Sequence, residues 1–280
     1  MSSAIESIAV SEVETPILDP PLHPFFPVDS LIPGYVPISI PAAALLTTFF
    51  GSLAVIFAAT IFILEQYSPR LARGDAWTAS WFVLCGLIHT FFEGKTHDPD
   101  WFQAVPWSPT LYLPVADTSD SHLGYYSYHS LDMGSRTHLF GQLWKEYALS
   151  DSRYMTQDSF VACMETITAC FWGPLSFLCT YYIITAHSLR YPLQSIISVG
   201  QLYGLILYYA TCAFEEHIHG IVFSRPERIY YWAYYVLCNA FWLFIPGWLI
   251  FQSVRESSAA FAKVSRMNKT AKLVRPEGSS

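Results

Sequence analysis

Long apolar segments recur along the chain, separated by polar stretches. Five of them carry few or no charged residues: 40–64, 76–92, 159–186, 191–214 and 229–254. A helix that crosses the hydrocarbon core of a bilayer needs about 20 predominantly apolar residues, and the second segment is at the short end of that range. Transmembrane strands would instead alternate over about ten residues. The pattern therefore predicts an all-α membrane protein, a five-transmembrane-helix bundle.

Composition supports contact with a lipid bilayer. The chain has 280 residues, of which 52% are hydrophobic, 17% aromatic and only 13% charged. Soluble domains usually carry about 25% charged residues. The formal net charge of -7 argues against nucleic acid as a partner. All six cysteines fall in apolar segments without a CxxC pattern, which predicts small buried side chains and no disulfide framework.

The chain divides into three parts. Residues 1–39, rich in Pro, Ser and acidic side chains, are expected to form an irregular N-terminal arm. The membrane domain covers 40–256 and contains a polar insertion at about 96–138. Residues 140–158 are typical of an interfacial helix and turn. The basic tail, 257–280, follows the last predicted span. Basic residues near helix ends are concentrated on the side of this tail, which predicts a cytosolic C-terminus.

Six polar or polarisable residues fall within, or in the case of Glu93 directly after, three of the predicted spans. A charged side chain at the bilayer centre costs about 2.5–3.5 kcal/mol on insertion scales, so such residues are candidates for function. They form pairs three or four residues apart, and side chains at that spacing share one helix face. If these faces point inward, they line one intramembrane ligand pocket. The pairs are His89 with Glu93, Glu165 with Thr168, and Asn239 with Trp242.

Each residue also has a structural interpretation. Glu93 lies at a helix end and could be interfacial. Asn239 could hydrogen-bond between helices, an interaction that averages about 0.6 kcal/mol. Trp242 could be an interface anchor or face lipid. The combination of the three pairs favours a functional site over these separate explanations.

The residue types suit acid–base chemistry. Glu and His carry protons, and a buried Trp face stabilises a cation by about 2 kcal/mol. The sequence contains no nucleophile elbow, P-loop or dinucleotide-binding motif, and the residue set requires no cofactor. Proton transfer on an apolar lipid through a carbocation therefore fits best. The segment EEHIHG at 215–220 has potential metal ligands. His217 and His219 alternate in a way that favours a strand or loop over a helix, and a polar loop cap is the default interpretation.

Five segments of the sequence closely resemble the emopamil-binding protein family. They are IHTFFEG at 88–94, QLWKEYALSDSRY at 142–154, CMETITACFWGPLS at 163–176, SVGQLYG at 198–204 and NAFWLFIPG at 239–247. The resemblance covers roughly 45–256 apart from the insertion. It implies a 3β-hydroxysteroid Δ8,Δ7-isomerase of the EXPERA group, a five-helix enzyme of the endoplasmic reticulum membrane. The insertion, the segment after the fourth span and a C-terminus without a dilysine signal depart from that pattern.

The resemblance also implies roles for the six residues, because all six match the family's functional positions. A proton would be added at sterol carbon 9, leaving a cation at carbon 8, and a proton would then leave carbon 7. We hypothesise that His89 with Glu93 forms one arm of the relay, Glu165 the other, and that Trp242 faces the cation. Substrate-binding Thr168 and Asn239 would hold the relay in place. Which arm donates stays open.

The expected partners follow from this interpretation. They are a sterol substrate, the lipid bilayer and, as inhibitors, cationic amphiphilic amines that mimic the carbocation. A homodimer through lipid-facing aromatic side chains is compatible with the sequence. Two alternatives remain: an isomerase or cyclase of the same fold that acts on another isoprenoid or terpenoid lipid, and a non-catalytic sterol-binding protein.

Overall fold

The computed structural model of the protein describes residues 23–93, 133–156 and 158–274. The predicted arm at 1–22, the insertion at 96–132 and the end of the tail at 275–280 lie outside the described residues. Within the described ranges all regular secondary structure is helical. The expectation of an all-α fold is therefore confirmed for this part of the chain.

The first two helices form a hairpin. Helix α1 is Ala42–Tyr67 and begins directly after Pro41, a residue that starts helices well because its φ is already near the helical value. Helix α2 is Arg73–Leu87, and a π-helical turn at Ile88–Phe92 continues it. The side chains of α1 are mostly exposed, whereas much of α2 is buried, so α2 lies inside the bundle and α1 at its periphery.

A short helix follows the insertion, where the sequence predicts an interfacial element. Helix α3 is Leu139–Tyr147, and the side chain of His138 caps its first turn by accepting from the Gly141 N–H (3.1 Å). A 3₁₀ turn at Ser152–Tyr154 then leads towards the next helix. Earlier, a 3₁₀ turn at Met133–Ser135 packs against the N-terminal arm, where the Val36 N–H donates to the Gly134 carbonyl (2.9 Å).

The next span is continuous but not uniform. Helix α4 is Ser159–Ile167, a π-helical turn occupies Thr168–Trp172, and helix α5 is Gly173–Ile184. Asp158 caps the N-terminus of α4 by accepting from the Val161 N–H (2.9 Å). The site described below is formed largely where this π-turn meets the one that ends α2.

Helices α6 and α7 complete the bundle and pack along each other. Helix α6 is Arg190–Phe214 and continues as a π-turn, Glu215–His219, that ends at Gly220 in the left-handed conformation. The expectation of a strand or loop around His217 and His219 was wrong, because their backbone extends α6. Helix α7 is Cys238–Val274 after a π-helical segment at Tyr230–Leu237, so it runs about 20 residues beyond the predicted end at 254.

Among the described residues, four helices are long and apolar enough to cross a membrane: Ala42–Tyr67, Ser159–Ile184, Arg190–His219 and Tyr230–Ala271. At most 28% of the most apolar window of each is buried inside the protein, so large apolar surfaces face outward, as lipid contact requires. The protein is therefore a multi-pass helical membrane protein. The predicted second span falls on α2 and its π-turn, which are not among these four helices.

Two hydrophobic clusters form the interior. One surrounds Trp144 and Tyr154, near α3 and the turn that follows it. The other surrounds Phe82 and Ile197, between α2, α5, α6 and α7. Trp242 packs against both clusters. The polar site lies beside this tryptophan.

Candidate active site

Two π-helical turns supply most of the candidate site. His89 lies in the turn Ile88–Phe92, and Glu93 ends that turn with its N–H donated to the Ile88 carbonyl (2.9 Å). Thr168 begins the second π-turn, and Glu165 precedes it by three residues. The two turns contact each other. π-Turns inside α-helices are rare and are frequent at functional sites, because the extra residue re-aims the side chains around it.

The closest contact of the site joins His89 to Glu93. Their Nδ1 and Oε2 atoms are 2.6 Å apart, and only 3% and 12% of the two side chains are exposed. On the other side of the ring, the amide nitrogen of Gln201 lies 3.2 Å from Nε2. Since an amide NH₂ can only donate, Nε2 accepts, and the ring proton of neutral His89 is assigned to Nδ1, facing Glu93.

Glu165 is buried and receives hydrogen bonds from two sides. The Tyr154 hydroxyl donates to Oε1 (3.0 Å), and the Thr168 hydroxyl reaches Oε2 at 3.3 Å while it also donates to the main-chain carbonyl of Glu165 (2.8 Å). The Glu93 carboxyl interacts with the carboxyl of Glu165 and with Thr168. His89, Glu93, Glu165 and Thr168 therefore belong to one continuous polar cluster.

Tyr154 lies outside the membrane-spanning helices, on the 3₁₀ turn that caps this cluster. Burial raises the pKa of Tyr154 well above its usual value, and the nearby Glu165 carboxyl raises it further. Both effects keep the phenol protonated at neutral pH. Tyr154 therefore keeps a hydroxyl proton that it can donate to Glu165.

Trp242 and Asn239 approach the cluster from α7. The Trp242 ring lies edge-on to His89, with ring centroids 6.4 Å apart, and packs against Trp81 at 5.6 Å. Asn239 donates to the Tyr147 hydroxyl (2.9 Å) and to the Tyr235 carbonyl (2.8 Å). Trp242 thus borders the cluster directly.

The connection of Asn239 to the cluster is indirect. Its partner Tyr147 packs edge-on against Tyr154 with ring centroids 5.4 Å apart, and Tyr154 in turn bonds Glu165. The structure therefore brings all six predicted residues to one region, but it gives them different distances from the carboxyls. Four of them form the polar cluster. Trp242 lies against the imidazole of His89, and Asn239 connects to the cluster through two tyrosines.

A glycine permits the close approach of the two π-turns. A Cβ atom at Gly173 would collide with the Thr90 hydroxyl and come within 3.4 Å of the Cβ of His89. Any larger residue there would push α5 away from the turn that carries His89. Gly173 therefore helps to set the distance between the helix of His89 and that of Glu165.

Sequence reasoning assigned no role to two residues of the site. Gln201 lies in the fourth predicted span. Like Asn239, it is an uncharged polar residue within an apolar segment, so the same signal could have identified it. Tyr154 gives no such signal, because it lies in a polar connection, eleven residues before its partner Glu165. The hydrogen bond from Tyr154 to Glu165 forms only because the 3₁₀ turn folds back against α4, which the sequence pattern does not indicate.

The cluster can move protons within a dry environment. It combines one imidazole with two carboxyls. A proton can lie on His89 while a neighbouring carboxyl is ionised, or on that carboxyl while His89 is neutral. Electrostatic interactions between such groups are strong where water is excluded. Among the described residues, no three His, Cys, Asp or Glu side chains come together in a way that could hold a metal ion. A separate cleft of about 220 Å³, beside Ser150 and Phe223, contains none of the six residues.

Fold and site together define a class: a multi-pass helical membrane protein with a buried acid–base cluster beside an aromatic wall. The family model EXPERA (EXPanded EBP superfamily) matches residues 139–253. The 3-beta-hydroxysteroid-Delta(8),Delta(7)-isomerase of Rattus norvegicus is 32% identical over 86% of this chain and 90% of its own. The enzyme of the same name from Cavia porcellus is 34% identical over 84% and 89%. The chain belongs to the EXPERA superfamily.

A plant relative carries a different name. A protoglabretal synthase from Ailanthus altissima is 28% identical over 85% of this chain and 93% of its own length. Members that resemble this chain over most of its length therefore include proteins with more than one named activity.

Proposed function

We propose that the protein is a sterol Δ8–Δ7 isomerase that moves a ring double bond through a carbocation. The observation that carries this proposal is the buried cluster of His89, Glu93 and Glu165 beside the Trp242 ring. The identity to animal enzymes of that name over most of the chain supports it. The reaction needs a proton donor, a proton acceptor and a wall that tolerates positive charge, and the cluster offers each of them.

The mechanism follows from the charges of the cluster. Two carboxylates beside one imidazole would leave an uncompensated negative charge in a buried site, which is costly. We therefore assign an imidazolium–carboxylate pair to His89 and Glu93 and a proton to Glu165 in the resting state. Protonation of sterol carbon 9 leaves a cation at carbon 8, and loss of a proton from carbon 7 completes the shift. One arm gives the first proton and the other takes the second.

Trp242 and the hydrogen-bonding residues have supporting roles in this proposal. A desolvated cation over an indole face gains about 2 kcal/mol, in addition to its attraction to the arm that has given up the proton. Thr168 orients the Glu165 carboxyl from its own helix. Asn239 orients it through Tyr147 and Tyr154. The cluster also suits a protonated amine on an apolar body, so we expect cationic amphiphilic amines to inhibit the enzyme.

We also propose that α2 and its π-turn form a fifth membrane span and that the site lies in an intramembrane pocket. The segment Arg73–Phe92 has 20 residues and would reach about 30 Å as a helix, the thickness of the hydrocarbon core. Three of its polar side chains, Thr78, Ser80 and His89, are buried inside the protein. A helix that faces protein can cross the membrane with fewer apolar residues than one that faces lipid. Five spans with a cytosolic C-terminus in the endoplasmic reticulum complete this topology.

A second candidate function is isomerisation or cyclisation of another polycyclic terpenoid. The specific observation in its favour is the similarity to a plant relative named protoglabretal synthase. The acid–base cluster would serve that chemistry equally well. The two candidates differ in the shape of the substrate, so the assay must offer both a Δ8 sterol and a terpenoid alcohol. A non-catalytic sterol-binding protein would convert neither.

The deciding experiment is conversion of a Δ8 sterol, such as zymostenol, by membranes that contain the full chain. Gas chromatography with mass spectrometry measures the Δ7 product. Wild type should form it, and Glu165→Gln should not. Glu146→Gln is the matched control, because Glu146 is also buried and also accepts from a tyrosine, Tyr234 (2.9 Å), away from the cluster. Full activity of Glu165→Gln would contradict the proposal.

A further inference from the structure

A line of polar side chains runs along the inner face of α6. Arg190, Gln194, Ser198 and Gln201 are spaced by four, four and three residues, so they share one face of the helix. Each is more than nine-tenths buried. In the membrane such burial is costly, and polar residues there are expected to have a functional or structural reason.

Each of these four side chains has a buried polar atom with no hydrogen-bond partner in the part of the chain that the structure describes. The atoms are Arg190 Nε, Gln194 Oε1, Ser198 Oγ and Gln201 Oε1. Buried polar atoms nearly always have a partner, and where protein atoms do not supply one, internal water usually does. Four such atoms on successive turns of one helix face make a polar line that suits water.

Ser198 differs from three buried hydroxyls on α2 and α5, although the hydroxyl of Ser253 on α7 also lacks a partner among the described residues. Ser80 on α2, Ser176 on α5 and Thr180 on α5 each donate to the carbonyl one turn earlier, at 2.8, 2.6 and 3.1 Å. That bond satisfies a hydroxyl within its own helix. Ser198 makes no such bond, so its hydroxyl is available to a molecule beside the helix.

The two ends of the line connect it to the membrane face and to the candidate site. Arg190, at the first residue of α6, pairs with Asp75 near the start of α2. Gln201 donates to His89 Nε2 (3.2 Å). Gln201 lies eleven positions after Arg190, which corresponds to about 17 Å of helix, roughly half of the hydrocarbon thickness. The line thus covers the distance from the membrane face at which α6 begins to the imidazole.

We propose that this face of α6 holds a file of water molecules that exchanges protons between the aqueous side and His89. A proton that enters at the Arg190 end is passed from water to water, each molecule accepting one proton and giving one. His89 exchanges its Nε2 proton with the file: the neutral ring accepts a proton at Nε2 and becomes the imidazolium that pairs with Glu93, and the imidazolium gives that proton back to water. The Gln201 amide must turn aside for this step, which makes Gln201 a positioning residue at the end of the file.

The role that we assign to this water file, resetting the proton donor and acceptor after each turnover, rests on the proposed isomerase function. That reaction takes a proton from one group and returns a proton to another, so donor and acceptor end in exchanged states. They must be reset before the next turnover. A path to bulk water resets both without opening the apolar part of the site.

The presence of the file is tested without any catalysis by radiolytic footprinting of the full-length protein in ¹⁸O-labelled water. The probe is water itself, and mass spectrometry locates the incorporated label. The wild type should incorporate label on the inner face of α6, at Leu193 and Ile197, although Ile197 is fully buried among apolar side chains. Ser198→Val, which removes the hydroxyl and fills its space, should reduce this labelling several-fold.

Two further variants make the result specific. Ser80→Val is the same change at a fully buried serine whose hydroxyl already has a partner, and it should leave the α6 labelling unchanged. Ser198→Ala removes the hydroxyl without filling the space and should retain most of the label. Absence of label on α6 in the wild type, or equal label in Ser198→Val, would overturn the proposal.

Turnover of a Δ8 sterol in D₂O, measured on the same proteins, separates this proposal from the proposed function. Ser198→Val should lower kcat and the deuterium content of the product while KM stays close to that of the wild type. If α6 is labelled but no sterol is converted, the water-file proposal stands and the isomerase proposal is rejected. Normal turnover with no label on α6 would retain the isomerase and reject the file.

Discussion

Tyr154 donates a hydrogen bond to the carboxyl of Glu165 across the boundary between a polar turn and a membrane helix (3.0 Å). Burial keeps the phenol protonated, so its hydroxyl is available to donate. The ring of Tyr154 also packs against Trp144, with centroids 4.9 Å apart, within one of the two hydrophobic clusters. The position of a central carboxyl therefore depends on a segment that does not itself cross the membrane.

Removal of this hydroxyl should impair turnover more than stability. A hydrogen bond to a charged or proton-transferring group contributes about 1.5–3 kcal/mol, which corresponds to roughly a 10–150-fold loss of rate. Tyr154→Phe should therefore lower kcat on a Δ8 sterol by about that factor. Steady-state kinetics on purified protein in detergent or nanodiscs measures the change.

The chain offers a matched control for this variant. Tyr234 also donates to a glutamate, Glu146, at a similar distance of 2.9 Å, but that pair lies away from His89 and Glu93. Tyr234→Phe should change the melting temperature about as much as Tyr154→Phe and leave kcat nearly unchanged. Equal losses of kcat in the two variants would mean that Tyr154 has only a structural role.

His89 and Glu93 should behave as one functional unit. Their side chains are joined at 2.6 Å, and a group that transfers protons contributes about 10²–10⁴-fold to a rate. His89→Ala and Glu93→Ala should each lower kcat within that range, and the double variant should be no worse than the more damaged single one. Non-additivity of this kind is measured by a double-mutant cycle.

The control pair for this cycle is His219 with Glu215. It has the same spacing and a similar distance of 2.7 Å, but the side chains are 49% and 32% exposed at the end of α6. Alanine at either of these positions should have little effect on kcat, and the two effects should add. A fully additive loss at His89 and Glu93 would contradict the proposed relay.

The sequence predicted the site best where helical periodicity determines the geometry. His89 with Glu93 and Glu165 with Thr168 are close in the chain, so their common faces follow from helix geometry alone. Their meeting across two helices was inferred from the cost of facing lipid, and the structure has these four residues in one cluster. The all-helical fold followed from the lengths of the apolar segments in the same way.

Other features could not be read from the sequence, because they depend on packing. The π-turns at His89 and Thr168 form where two helices press together around Gly173, and apolar periodicity does not distinguish them from α-helix. The bond from Gln201 to His89 joins residues that are 112 positions apart. The extension of α6 through His219 was missed because the polar sequence there has no apolar face to indicate a helix.

Trp242 should matter more for cations than for neutral ligands. Its ring lies next to His89, and a desolvated cation–π contact contributes about 2 kcal/mol, equivalent to roughly a 30-fold change in affinity. Trp242→Leu should weaken binding of a protonated amphiphilic amine by about that factor and affect a neutral carbon analogue much less. Trp248→Leu, at an exposed tryptophan of the same helix, should change neither affinity. Radioligand displacement measures these affinities, and equal weakening of the two ligands would reject a cation-specific role.

The ion pair of Arg153 and Asp151 should determine how firmly the Tyr154 turn is held. Both side chains are almost completely buried, and the Arg153 guanidinium bonds Asp151 (2.7–3.1 Å), Thr211 (2.9 Å) and the Tyr208 carbonyl (3.2 Å). Loss of one partner of a buried pair costs about 3–5 kcal/mol, because the other charge remains buried without compensation. Asp151→Asn should therefore lower the melting temperature clearly.

The exposed pair of Arg225 and Glu227 provides the comparison for Asp151→Asn. Exposed pairs contribute little to stability, so Glu227→Gln should leave the melting temperature close to that of the wild type. Scanning calorimetry at one fixed heating rate is the measurement, since the unfolding of membrane proteins is often irreversible. Because Arg153 and Tyr154 lie on the same turn, Asp151→Asn should also lower kcat before the protein unfolds. A variant that melts earlier yet keeps full kcat below its melting temperature would show that Tyr154 is positioned by its aromatic packing alone.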